Sequence, residues 1–263
     1  VAQDLEDRRE TPSTRRLLGT EIVLVLALSL GASGVSALIS FTGSVTSTKP
    51  LNHQTTQIVG SYAPGRPWLD LAWQIFYIVT ALVPVALVAH LLARSGESLR
   101  RTLGFSLDRK GPDLVKGAVV AACIGGSGLL LYFAARYAGV NTTVEPSGLP
   151  HVWWRIPVLV ASAVQNAVLE ETIVLGFLVH RLTQLCWSTR RTVATSALIR
   201  GSYHFYQGVG GFAGNVIMGV IFCYLYRRWG RVMPLVVAHS LIDIVAFVGS
   251  ALLAGHVSWL PAH

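Results

Sequence analysis

The sequence predicts an all-α, polytopic membrane helix bundle of about seven transmembrane helices, with the N-terminus inside and the C-terminus outside. Three observations predict it. Only 13% of the 263 residues are charged and 52% are hydrophobic, where a soluble domain carries about 25% charged residues. Seven apolar stretches divide the chain, on the scale needed to cross ~30 Å of hydrocarbon at ~1.5 Å per residue. Basic residues gather in alternate connections between those stretches. The net charge of +8 therefore reads as membrane-loop charge and not as a nucleic-acid surface.

Taken in order, residues 1–20 form a polar, disordered cytoplasmic tail, with Arg8, Arg9, Arg15 and Arg16 among four acids. Ile22 to Phe41 is the first span, too long for a signal-peptide core and read as retained. A Ser/Thr/Pro loop covers 42–66, and Trp68 to Leu92 is the second span, with Trp68 and Trp73 as interfacial anchors. The densest basic loop follows at 94–113, and the third span runs from Leu114 to about Ala135. A Pro/Gly loop at 140–150 leads into the fourth span, from Ile156 to about Leu182. The fifth covers Thr192 to Gln207, the sixth Phe212 to Tyr226 and the seventh Val232 to Leu253. This divides the chain into a tail (1–20), an N-terminal unit of three helices (21–150), a four-helix core (151–255) and a C-terminal tail (256–263).

Counting charge tests the orientation. With the N-terminus inside, the cytoplasmic segments hold 16 of the 21 Lys and Arg residues, and the outer ones hold Lys49, Arg66, Arg136 and Arg155. That split obeys the positive-inside rule. Cys123, Cys186 and Cys223 show no CxxC spacing, so neither a disulfide framework nor a thiolate metal site is expected.

The chemistry lies in the last four spans. Glu170 and Glu171 sit side by side in an apolar segment, where a carboxylate costs at least ~2.5 kcal/mol at mid-membrane. Arg200, His204, His239 and Asp243 complete the ionisable set within these spans. The pairs Arg200/His204 and His239/Asp243 are each spaced i,i+4, which places each pair on one helical face. Residue counts from the helix ends place the set within roughly 10–20 Å of the inner surface, close enough to share one cavity.

Three segments carry a resemblance: Glu170-Glu171-Thr-Ile-Val-Leu175, Arg200-Gly-Ser-Tyr-His204 and His239-Ser-Leu-Ile-Asp243. They resemble the EExxxR, FxxxH and HxxxN motifs of the CPBP family of intramembrane proteases, which includes CAAX prenyl proteases and bacteriocin-processing and immunity-type proteins. The resemblance covers about residues 155–250. Three positions depart from it: Leu175 replaces Arg, Arg200 replaces Phe, and Asp243 replaces Asn. The first two compensate if Arg200 pairs with Glu171 in place of the missing guanidinium.

The resemblance implies hydrolysis of a peptide bond in a membrane-associated peptide or protein, in a multi-pass protein of the cell membrane, with a bacterial plasma membrane expected. Glu170 is then the general base on water, hydrogen-bonded jointly with His204. His239 and Asp243 face the scissile carbonyl. An ionised Asp243 would repel the oxyanion, so it is either protonated or orients His239. Glu171 is catalytic, or it forms a structural pair with Arg200. Zinc held by His204, His239 and Glu170 fits the residue types, and a metal-free, glutamate-activated water fits equally and is preferred. Tyr203, Tyr206 and Asn215 read as core or interface residues. Two other functions fit the buried charge: a non-catalytic scaffold retaining the pocket, and a proton-coupled transporter. The latter is disfavoured because the spans show no inverted repeat.

Overall fold

The computed structural model describes residues 12–253, so the expected tails fall outside it for residues 1–11 and 256–263. Helix α1 (Pro12–Ala27) already includes Arg15 and Arg16, so the second half of the predicted polar tail is helical. It leads into α2 (Leu30–Val45) across a 49° bend. The bend falls at Ser29, whose Oγ turns back to the Val25 carbonyl at 2.6 Å. Next come strand β1 (Thr55–Gly60), α3 (Pro67–Ala81) and α4 (Val83–Arg94). These two helices form one long apolar span, interrupted at Leu82 because Pro84 has no amide proton to continue the hydrogen-bond ladder. The short α5 (Leu99–Thr102) and the long α6 (Lys110–Tyr137) follow, then strand β2 (Thr143–Gly148).

The remaining elements build the core. Helix α7 (Arg155–Glu170) passes into a π-helical segment (Glu171–Phe177) and continues as α8 (Leu178–Gln184). Helix α9 (Thr189–Ser202) descends beside them, a 3₁₀ turn spans Phe205–Gln207, and α10 (Val209–Trp229) and α11 (Met233–Leu253) complete the bundle. Helix α11 packs against α6 and α7, and α9 packs against α10. One apolar core gathers Phe177, Phe222 and Leu235, and a second gathers Trp154, Leu159 and Phe247.

The chain is thus an all-α membrane bundle, and two findings revise the count of about seven spans. Among the described residues, five helices are long and apolar enough to cross a membrane, or six if α1 and α2 form one bent span. The predicted fifth span falls short, because α9 has 14 residues and rises only ~21 Å. In addition, the two loops read as irregular each contribute a strand. β1 and β2 pair in parallel, with Thr55 opposite Thr143 and Gly60 opposite Gly148.

A second ion cluster sits where α1, α8 and the turn after α4 meet. Arg181, counted from the sequence among the 16 cytoplasmic basic residues although it stands at the end of the fourth span, is fully buried there. It pairs with Glu97 at 2.9 Å and Glu21 at 3.1 Å, and Glu97 also meets His180 at 2.6 Å. The three cysteines are free.

Candidate active site

Both glutamates lie where the α7 hydrogen-bond ladder widens. Glu170 ends the α-helical part and Glu171 opens the π-helical one. A π turn is uncommon inside a helix and is found preferentially at functional sites. Here every residue from Glu171 to Phe177 is buried, part of the longest buried run among the described residues. Glu170 keeps 3% exposure and Glu171 none.

Arg200 answers the charge problem those carboxylates pose. Its guanidinium reaches Glu171 Oε1 through Nη2 at 2.6 Å and Glu170 Oε2 through Nη1 at 3.3 Å. The pairing expected from the loss of Arg at position 175 is present, and it extends to both glutamates. The Phe222 ring lies 5.3 Å from the guanidinium carbon, a cation–π contact. The approach of α9 to α10 that seats Arg200 depends on Gly219. A Cβ there would lie 2.8 Å from Ala197 Cα and 3.3 Å from Arg200 Cδ.

From α11, His239 Nδ1 meets Glu171 Oε1 at 2.7 Å, and its Nε2 lies 3.5 Å from Asp243 Oδ2. The i,i+4 pair therefore forms as spaced. Asp243 Oδ2 also receives Asn166 Nδ2 at 3.4 Å. Asn166 is absent from the residues picked out by sequence, although it stands four before Glu170 and so on the same face of α7. It brings from α7 the amide group that the third motif lacks in this chain.

His204 departs from expectation. Helix α9 ends at Ser202, so Arg200 and His204 do not share a helical face as their spacing implied. His204 Nε2 stands 4.0 Å from Glu170 Oε2, beyond hydrogen-bond distance, and has no hydrogen-bond partner among the described residues. The hydroxyl that does donate to Glu170 Oε2, at 2.8 Å, belongs to Tyr203. Tyr203 had read as a packing residue. Only the turn that ends α9 gives it this role, and no periodicity announces that turn.

Three ligand atoms, from Glu170, Glu171 and His239, lie within 4.8 Å of one another and mark where a divalent cation could be held. His204 is not among them. The donor set fits zinc poorly, because Arg200 already contacts both carboxylates and the Glu171 oxygen is shared with His239. A divalent ion there would stand beside a fixed guanidinium charge in a medium that screens little.

Residues 152–245 match the family model described as "Type II CAAX prenyl endopeptidase Rce1-like". The match takes in all three motifs and supports the CPBP/CAAX protease family, as the resemblance anticipated. Neither the curated proteins nor the solved structures gave a match to the chain. The molecule is a multi-pass membrane protein with a CAAX-protease-type segment. That family supports protease activity in general and a membrane-associated peptide as substrate.

Proposed function

We propose that the protein is an intramembrane endopeptidase that cleaves with a glutamate-activated water and without a metal. One observation carries the reading. Glu170 has Oε2 held by Tyr203 and Arg200, and Oε1 takes no hydrogen bond among the described residues. A carboxylate anchored through one oxygen and open at the other is arranged as a general base.

In this reading Glu170 Oε1 takes a proton from water as the water oxygen attacks the scissile carbonyl carbon. His204, whose Nε2 has no hydrogen-bond partner among the described residues, supplies a hydrogen bond to the oxyanion. The C–N bond then breaks as Glu170 passes its proton to the leaving amine. Glu171, held by Arg200, fixes His239 through Nδ1. Asp243 and Asn166 set the other edge of that ring, so Asp243 serves as an orienting group.

The test is Glu170→Gln in detergent-purified protein, read by melting temperature and by cleavage of a panel of membrane-anchored peptides. The expected result is cleavage lost in a protein that still melts cooperatively, lowered by no more than the loss of one charge-assisted hydrogen bond, about 1.5–3 kcal/mol. Cleavage at the wild-type rate in Glu170→Gln would overturn the reading. A second reading, a non-catalytic scaffold, is favoured by the way Arg200 satisfies both carboxylates. It predicts no cleavage by the wild type and an unaltered partner function in Glu170→Gln.

A further inference from the structure

Three arginines are buried among the described residues: Arg155, Arg181 and Arg200. Arg200 and Arg181 each take two carboxylates. Arg155, in the first turn of α7, keeps only 5% exposure and forms no ion pair among the described residues. Its Nε and Nη2 are buried without a hydrogen-bond partner. Its Nη1 meets the imidazole Nδ1 of exposed His151 at 3.4 Å. Asp70, on the neighbouring helix α3, does not answer it. The Asp70 Oδ1 accepts from the Tyr62 amide at 2.9 Å and from Gln74 at 3.3 Å.

The surroundings add to the positive charge instead of offsetting it. The first turn of α7 holds no acid, and Trp154 at its N-cap offers no side-chain hydrogen bond to the leading amides. A helix N-terminus carries about half a positive charge and favours an anion, so a guanidinium there sits at the unfavourable end. A buried charge without a counter-ion is costly in any fold. One anion at this point would offset the guanidinium and the helix N-terminus together. Position says which anion. Trp68 and Trp153 pack at 6.0 Å with 71% and 73% exposure, as aromatic residues do at the headgroup level of a bilayer. Trp153 stands two residues before Arg155, and loop charge places this end of α7 outside. The anion found at that depth is the lipid phosphate, and the planar guanidinium fork suits two of its oxygens.

We propose that Arg155, His151 and the N-terminus of α7 form a phosphate site at the outer rim of the bundle, held by the phosphodiester of an outer-leaflet phospholipid. The phosphate enters from the His151 side, and its oxygens accept from the guanidinium and the imidazole. The site stands apart from the peptide chemistry and does not depend on it. It has a mechanical consequence all the same. Glu170 lies ~22 Å further along the same helix, so a lipid held at Arg155 sets the depth at which both glutamates sit.

The test uses full-length protein stripped of lipid in a maltoside detergent, which carries no phosphate. Three probes are added separately: phosphatidylglycerol, diacylglycerol with the same acyl chains, and inorganic phosphate. With no probe, Arg155→Gln should melt at or above the wild type, because it removes an unpaired charge. Phosphatidylglycerol should reverse that order and bind the wild type at least tenfold more tightly than Arg155→Gln, by native mass spectrometry. His151→Ala should bind it about threefold more weakly than the wild type. Arg66→Gln, which removes an exposed arginine on the same side, should bind it as the wild type does. Diacylglycerol should not distinguish the variants. A wild type that melts above Arg155→Gln without phosphate would mean that protein groups or water already satisfy the guanidinium, and would overturn the site. Equal phosphatidylglycerol binding by the wild type and Arg155→Gln would overturn it too. Arg155-dependent binding of inorganic phosphate without that of the lipid would sustain the phosphate site and overturn the lipid as its occupant. Should Arg155→Gln fail to fold, His151→Ala decides: threefold weaker lipid binding sustains the site, and unchanged binding overturns it.

Discussion

Arg200 Nη2 lies 2.6 Å from Glu171 Oε1, and neither side chain has any exposure. Removing one partner of such a pair strands the other as an isolated charge, which costs about 3–5 kcal/mol. Arg200→Leu should therefore lower stability by about that amount, measured by thermal unfolding in detergent. Arg200→Leu combined with Leu175→Arg, which returns the guanidinium to the π-helical segment, should recover most of the loss. Arg200→Lys should recover less than the double change, since one ammonium does not span both carboxylates as the planar fork does.

Tyr203→Phe removes the hydroxyl that donates to Glu170 Oε2 and leaves the ring in place. A net loss of about 1 kcal/mol is expected for one hydrogen bond, and up to ~3 because the acceptor is a buried carboxylate. In a cleavage assay, kcat should fall with KM little changed. A fall in stability with kcat intact would make Tyr203 structural only.

Chelation should leave cleavage unchanged. Arg200 supplies the positive charge at Glu170 and Glu171, so excess EDTA should neither inhibit the protein nor shift its melt. Inhibition reversed by added zinc would reassign Glu170, Glu171 and His239 as ligands.

Gly219→Leu should act on the site without touching its polar groups. The larger side chain presses on Ala197 Cα and Arg200 Cδ, which pushes α10 off α9. Such overpacking costs about 1–3 kcal/mol, and the displaced Arg200 should take cleavage down with it.

Arg181→Met should destabilise the protein by about 1.5–3 kcal/mol, because Glu97 and Glu21, both partly exposed, would lose their shared cation while Glu97 keeps His180. Glu97→Gln should cost less, since Glu21 remains beside Arg181. Unfolding in detergent checks both.

How far the sequence could be read follows from which features are local. Apolar length and loop charge marked the long spans, and the two i,i+4 positions on α11 formed the His239/Asp243 pair. The missing Arg at 175 pointed correctly to Arg200. The turn after Ser202 was not legible, because nothing between Arg200 and Gln207 breaks a helix as proline would, and its effect was to exchange His204 for Tyr203 at Glu170. The strands were hidden for a different reason. Thr55 and Thr143 pair across most of the N-terminal half, and neither segment alternates strongly enough to announce a partner. Arg181 was misplaced because a basic residue near a helix end ordinarily reads as solvated.

The π turn also sets a phase. In an uninterrupted α-helix Glu170 and Arg181, eleven residues apart, would lie within roughly 20° of each other around the axis. Both would then lie on one face of the helix, ~16 Å apart along its axis. Widening the ladder between them amounts to about one extra residue, or ~100° of rotation. That turn carries Arg181 off the face of the glutamates and round to Glu21 and Glu97. Deleting a single residue from 172–176 would keep an apolar helix of spanning length while rotating its two halves out of step. The protein would still insert, and it would be wired wrongly.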